Sequence, residues 1–189
     1  TKLQQFNKER QDIEQQVLDQ AIAQVEEQVD LEKNYAIIAH GDNWHPGVIG
    51  IVASRLKEKY NRPACVIGFD DQGIGKASGR SVAGIDLGAL VIAARQNEIL
   101  EAGGGHKMAA GFTIAKAQLE TFKEYLNKRI GQQLNGQQIV PELNIDGIVT
   151  ANSLSIDLCR KMSVLAPFGQ GNSEPRLAVM SARLMKVTT

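Results

Sequence analysis

Gly103, Gly104 and Gly105 stand in a row, with His106 and Lys107 directly after them. A loop of that composition turns several main-chain N–H groups, one imidazole and one ammonium toward the same space, and such a nest binds oxyanions. The same run also reads as a helix terminator followed by a surface histidine. A second candidate is Ser78-Gly79-Arg80-Ser81. There a guanidinium fork between two hydroxyls on a strand suits two-pronged recognition of a phosphate, and it fits a solvated strand end as well. The third is His40-Gly41-Asp42-Asn43-Trp44-His45. A metal needs three or four converging donors, and no further cluster stands near this one, so no metal is expected here. A better functional reading has Trp44, His45 and the amides opening a helix at Pro46 lining an anion-favouring groove. Gly47 and Gly50 would then allow close approach to that helix. The alternative places Trp44 in the core and uses both glycines to pack the helix on a sheet. Arg55 and Lys57 read as solvated. No nucleophile stands beside an activating base, and neither GxSxG nor a Walker loop occurs, so no catalytic residue is expected.

The elements that must position these residues follow from periodicity. Residues 1–33 are rich in Gln and Glu, lack Gly and Pro, and place Leu3, Phe6, Ile13, Val17, Ala21, Val25 and Val29 near one helical stripe. That is one long amphipathic helix, either packed on a core or holding two domains apart. YAIIA at 35–39 predicts a buried strand, residues 46–60 a helix with Pro46 in its first turn, and ACVIGF at 64–69 a second strand parallel to the first. Asp70 to Gly73 is a turn, and residues 74–81 return antiparallel. Asp86 caps a helix running to about Leu100, which the glycine cluster ends. Residues 109–114 form another strand, and a helix over 116–130 stops at Gly131. QQLNGQQ at 132–138 reads as a linker. Beyond it come an alternating strand at 142–149, a helix at 152–165, the turn-rich PFGQGNSEP and a last strand from Arg176. The fold class is therefore α/β, a small mixed β-sheet flanked by helices. A long connector helix (1–33) precedes the main domain (34–131), and a partial α+β unit (139–189) follows it.

Composition excludes more than it selects. With 189 residues, 43% hydrophobic and 22% charged, the chain can bury one full core and a smaller second one. Basic and acidic residues balance at 21 each, so an anion site must be local. Residues 41–111 hold thirteen of the 18 glycines, and residues 46–111 hold eight basic residues against six acidic. Cys65 and Cys159 are far apart, without metal-ligand spacing, which suits a reducing cytoplasmic compartment. No apolar run reaches about 18 residues and no signal peptide is evident, so no membrane partner is expected. The chain starts without methionine and ends in an apolar run, and both ends are expected to continue into a longer protein.

Three segments in order carry a resemblance: HPGVIGIVASRLKEKYNRPACVI (45–67), SGRS (78–81) and GGGHKMAAG (103–111). Together they resemble the DHH-associated domain of the RecJ family of bacterial single-stranded-DNA exonucleases. PFGQGNSEP resembles the start of the oligonucleotide-binding (OB) fold region that follows in that family. The resemblance covers residues 35–187 and implies a 5′-to-3′ exonuclease of DNA repair and recombination. In that family an upstream DHH phosphoesterase domain binds Mn or Mg. This sequence has no DHH tripeptide and no aspartate-rich metal motif, so no cofactor is expected in it. What the resemblance leaves to this chain is to hold single-stranded DNA, with Ser78, Arg80, Ser81, His45, His106 and the amides of Gly103, Gly104 and Gly105 on phosphates. Two other classes share the glycine-histidine loop: a complete phosphodiesterase for short oligonucleotides or cyclic dinucleotides, and an RNA-binding accessory domain.

Overall fold

The computed structural model describes residues 2–31, 33–141, 143–169 and 171–183. It divides into two units, residues 1–140 and residues 141–189.

In the first unit, α1 (Lys2–Gln28) precedes β1 (Ile37–Asp42), α2 (Pro46–Tyr60), β2 (Ala64–Phe69), β3 (Ile74–Arg80), α3 (Leu87–Gln96), β4 (Ala102–His106), β5 (Ala109–Ala115) and α4 (Leu119–Leu134). The strands form one sheet in the order β1-β2-β3-β5-β4. β1 and β2 are parallel, and all other neighbours are antiparallel. Alternation along each strand sends side chains to opposite faces. On one face Cys65, Ile67, Phe69, Ala77, Phe112 and Ile114 form a core with Leu87 and Val91 of α3 and Phe122, Leu126 and Ile130 of α4. On the other, Ile37, Ala39, Ala64 and Val66 pack with Val48, Val52 and Leu56 of α2 and Val17, Ala21 and Val25 of α1.

The long helix is thus part of the core over its second half. Its polar residues finish the sheet: the Gln24 carboxamide accepts from the His40 N–H (2.8 Å) and donates to the His40 carbonyl (3.2 Å), closing the edge of β1 as another strand would. Gln20 accepts from the Trp44 indole N–H at 2.8 Å. Toward the start of α1, Leu3, Phe6 and Ile13 stay exposed.

Several boundaries differ from the periodicity. GGG is not a loop: it is the middle of β4, an edge strand, and only Lys107 and Met108 turn between β4 and β5. α3 ends at Gln96, where Glu98 turns with positive φ, 60°. α4 passes through Gly131 and stops at Asn135 (φ 46°) and Gly136 (φ 83°). A Cβ on Gly131 would stand 2.8 Å from the Tyr35 ring, so glycine makes room for an aromatic there and ends nothing. β1 starts later than expected and runs to Asp42.

His40, on β1, stacks edge-on against Phe69. Burial, and then Lys123 on α4, hold its pKa below the ordinary 6.5. The unfolded chain therefore takes up this proton first. Stability carried by neutral His40 is complete above about pH 6.5 and is lost as the pH falls toward the folded-state value. Between about pH 7 and pH 5, the Tm of the parent is expected to drop more steeply than that of His40→Gln. Parallel Tm curves would refute this.

In the second unit, β6 (Gly147–Val149) pairs in parallel with β7 (Leu177–Val179), and α5 (Ile156–Ser163) lies between them in sequence. The expected strand and helix are thus shorter than their periodicity, and residues 184–189 of the last apolar run lie outside the described residues. Ser155 caps α5 through the Leu158 N–H. Asp146 and Arg176 exchange hydrogen bonds beside the strand pair, 2.9 and 2.8 Å. In the turn-rich segment, Asn172 donates to the carbonyls of Leu165 and Pro167.

Candidate nucleic-acid interface

α1 and α2 cover β1, β2 and part of β3, and the same face of β3, β5 and β4 is left open. Register assigns its residues, because paired residues share a face. One row runs Arg80, Ala109, His106; the next Ser78, Gly111, Gly104; the third Lys76, Thr113, Ala102. Lys76, Ala102, His106 and Gly111 are exposed, and Ser78, Arg80, Gly104 and Ala109 half-buried. This face bears two cations and an imidazole but no carboxylate.

Arg80 is held ready. Its Nη1 donates to Ser78 Oγ (3.0 Å) and to the Gly79 carbonyl (2.9 Å). Above it α2 carries Gly50, where a Cβ would lie 3.2 Å from both Arg80 Nη2 and Ser78 Oγ. Among the described residues, neither Arg80 nor Lys76 has a carboxylate within ion-pair distance. At the far end of the first row, His106 Nδ1 accepts from the Met108 N–H at 3.3 Å. Its neutral ring then carries the proton on Nε2, as a donor for an incoming anion.

The glycines divide into two kinds. A Cβ on Gly103 would press Val91 (2.8 Å) and Phe112 (2.9 Å), and one on Gly105 would strike the Ala109 carbonyl. Gly88 plays the same part on α3, where a Cβ would come within 2.8 Å of the Gly105 and His106 main chain. These glycines serve packing. Gly104 has nothing within 4 Å of a Cβ, and Gly111 only a carbonyl at 3.7 Å. Neither has positive φ. The fold makes no demand for glycine at either position, and both lie in the middle row of the open face.

Other expected contacts fall elsewhere. Ser81 is buried, with its hydroxyl donating to the Ile85 carbonyl at 2.9 Å, so it closes the turn into α3 and is not on the open face. Gly103 and Gly105 point to the opposite face from Gly104. His45 caps α2: its Nδ1 accepts from the Gly47 N–H at 3.0 Å, and a Cβ on Gly47 would crowd that ring. Trp44 is core, 8% exposed, with its backbone laid over Gly68 and its ring over Gly41. Lys76, Thr113 and Gly111 share this face without having been singled out from the sequence, although the Lys76, Ser78, Arg80 alternation is a signal for one strand face.

Among the described residues no three His, Cys, Asp or Glu side chains group as a metal site. The Cys65 thiol is buried, which pushes its pKa up to about 12 and rules it out as a thiolate nucleophile. No described helix is long and apolar enough to cross a membrane.

Residues 32–132 match the family described as the DHHA1 domain, and residues 145–189 match the RecJ OB domain. The chain is 35% identical over 184 residues to the single-stranded-DNA-specific exonuclease RecJ of Bacillus subtilis, covering 97% of this chain and 23% of that one. It is 32% identical to RecJ of Haemophilus influenzae, over 92% of this chain and 31% of the relative. A crystal structure of Thermus thermophilus RecJ in complex with Mg2+ superposes with a TM-score of 0.74 at 32% identity, over 92% of this chain and 26% of that one. A second structure, with Mn2+, gives 0.75 at 31% identity, over 92% of this chain and 24% of that one. The chain therefore spans between 23% and 31% of the length of these relatives.

Proposed function

The chain belongs to the RecJ family, with its DHHA1 domain and OB-domain region, and from this we propose that the open face of β3, β5 and β4 grips the phosphate backbone of single-stranded DNA. The parent activity is 5′-to-3′ exonuclease action in repair and recombination in the cytoplasm. This part holds the strand while an upstream DHH domain cuts it with Mn or Mg. The described residues offer no donor set for such an ion, so no step of the hydrolysis is assigned to them. Residues 1–33 serve as the connector, docked by their second half and leading toward the catalytic domain with Leu3, Phe6 and Ile13. Residues 34–131 are the binding domain, and residues 139–189 begin the OB region.

One observation carries this reading: the empty space above Gly104 and Gly111, between the Arg80–Ser78 pair and the His106 ring. A sugar–phosphate backbone can lie against a floor without side chains, while a guanidinium and an imidazole N–H reach its oxygens. His45 caps α2, and its Nδ1 already takes the Gly47 N–H, so its part in this reading is to fix the start of that helix. The RecJ OB match favours DNA over the cyclic-dinucleotide and RNA alternatives.

Binding of a labelled oligothymidylate about ten nucleotides long, followed by fluorescence anisotropy, is expected to weaken with salt, with a logarithmic slope of about −0.7 per phosphate contact. Arg80→Ala should weaken it about tenfold, uniformly across base sequences. Unchanged affinity in that variant would remove the assignment. Metal-dependent turnover of oligonucleotides by this chain would overturn its role as a holder only.

A further inference from the structure

Along β3, residues two apart on one face stand about 6.8 Å from one another, close to the separation of neighbouring phosphates in an extended nucleic-acid strand. Arg80 and Ser78 occupy two such steps, and Lys76 the third. We infer that Lys76 is a further phosphate-binding residue, oriented by Thr113, and that the strand runs parallel to β3 over the open floor of β5 and β4, with one phosphate near each row. This deepens the reading of the open face as a single-stranded-DNA site and rests on it.

Lys76 is exposed, yet its ammonium is not free to wander, because Nζ donates to Thr113 Oγ1 at 3.0 Å. Thr113 is the one polar side chain of this face that is buried, at 9% exposure. A hydroxyl under a lysine pins the charge without neutralising it, which a carboxylate would do. The contrast with the next cation is direct. Lys116 lies just past the same end of β3, its N–H bound to the Gly73 carbonyl, and its ammonium is paired with Asp42 at 2.7 Å. The uncompensated positive charge therefore runs from Arg80 to Lys76 and stops there. Gly68, the neighbour of Lys76 on β2, lies beneath the Trp44 carbonyl. The chain entering α2 thus crosses β2 beside this row and borders the open face on that side.

The test is oligothymidylate binding by the full chain at several salt concentrations, with Arg80→Ala measured in parallel. Lys76→Gln should lower affinity about fivefold and make the salt slope shallower by about 0.7, one single-strand phosphate contact. Lys76→Arg should retain most of the affinity. Thr113→Val should cost about twofold, and in combination with Lys76→Gln should add nothing, which a merely structural threonine would not do. If Lys76→Gln changes neither affinity nor slope while Arg80→Ala weakens binding, the third contact is refuted and the site ends at Ser78. If Arg80→Ala is silent too, the nucleic-acid reading itself has failed.

Discussion

Gly104→Val is expected to melt at the temperature of the parent and to bind oligothymidylate at least about thirtyfold more weakly, a loss of roughly 2 kcal/mol. The stability half follows from the space. A side chain at 104 meets nothing within 4 Å, the residue sits on a strand, and a β-branched residue suits a strand better than glycine does. The binding half follows from the same emptiness, since an isopropyl group would stand on the floor along which the proposed function lays the sugar–phosphate chain. Gly105→Ala is the control, because its Cβ would collide with the Ala109 carbonyl and lie 2.6 Å from the Ala110 Cα. That variant should lose stability. Thermal melts together with anisotropy titrations separate the two. Full affinity in Gly104→Val at unchanged Tm would show that close approach to the floor is not how the ligand is held.

Trp44→Ala is expected to cost about 3–5 kcal/mol of stability, the range for deleting a large aromatic from a core, and to leave the affinity of the folded protein unchanged. The indole fills the space above Gly41, it is nearly sealed from solvent, and its N–H is bound to Gln20 of α1. Losing it empties the junction of α1, α2 and β1. Trp44→Phe keeps most of the apolar contact, drops the hydrogen bond and should cost about 1 kcal/mol. Urea melts report the stabilities. A Trp44→Ala protein as stable as its parent but defective in binding would return this residue to the groove.

The two residue types illustrate how far local reasoning reaches. Pro46, the apolar spacing to Tyr60 and the unbroken run Ala64–Phe69 each specify their own element, and α2 and β2 have the expected bounds. The parallel pairing of β1 with β2 follows from the length of the crossover alone. Asp86 accepts from the Ala89 N–H, as its place before an apolar helix requires. Such features depend on residues within a turn or two of each other. Gly103 to Gly105 do not. A glycine is permissive, so its role depends on what comes against it from elsewhere in the chain. Val91 and Phe112 settle Gly103, Ala109 and Ala110 settle Gly105, and only the absence of any neighbour marks Gly104 as different. Gly131 departs from its expected place as a helix stop for the same reason, with Tyr35 as the distant partner.

What the amino-acid sequence determined by itself was the set of elements other than β4, most of their caps and the order along the chain of SGRS and the glycine-histidine run, because hydrophobic period and turn chemistry are local. It also marked the segment 103–111 as an anion-binding candidate. The tertiary structure decided which face each residue looks out from. It turned the expected loop into an edge strand, sent Ser81, Gly103 and Gly105 inward or to the far side, and kept Gly104, Gly111, Arg80, Ser78, His106 and Lys76 together on one open face. Strand register does this: one residue along a strand reverses its face, and which face stays uncovered depends on where α1 and α2 come to rest.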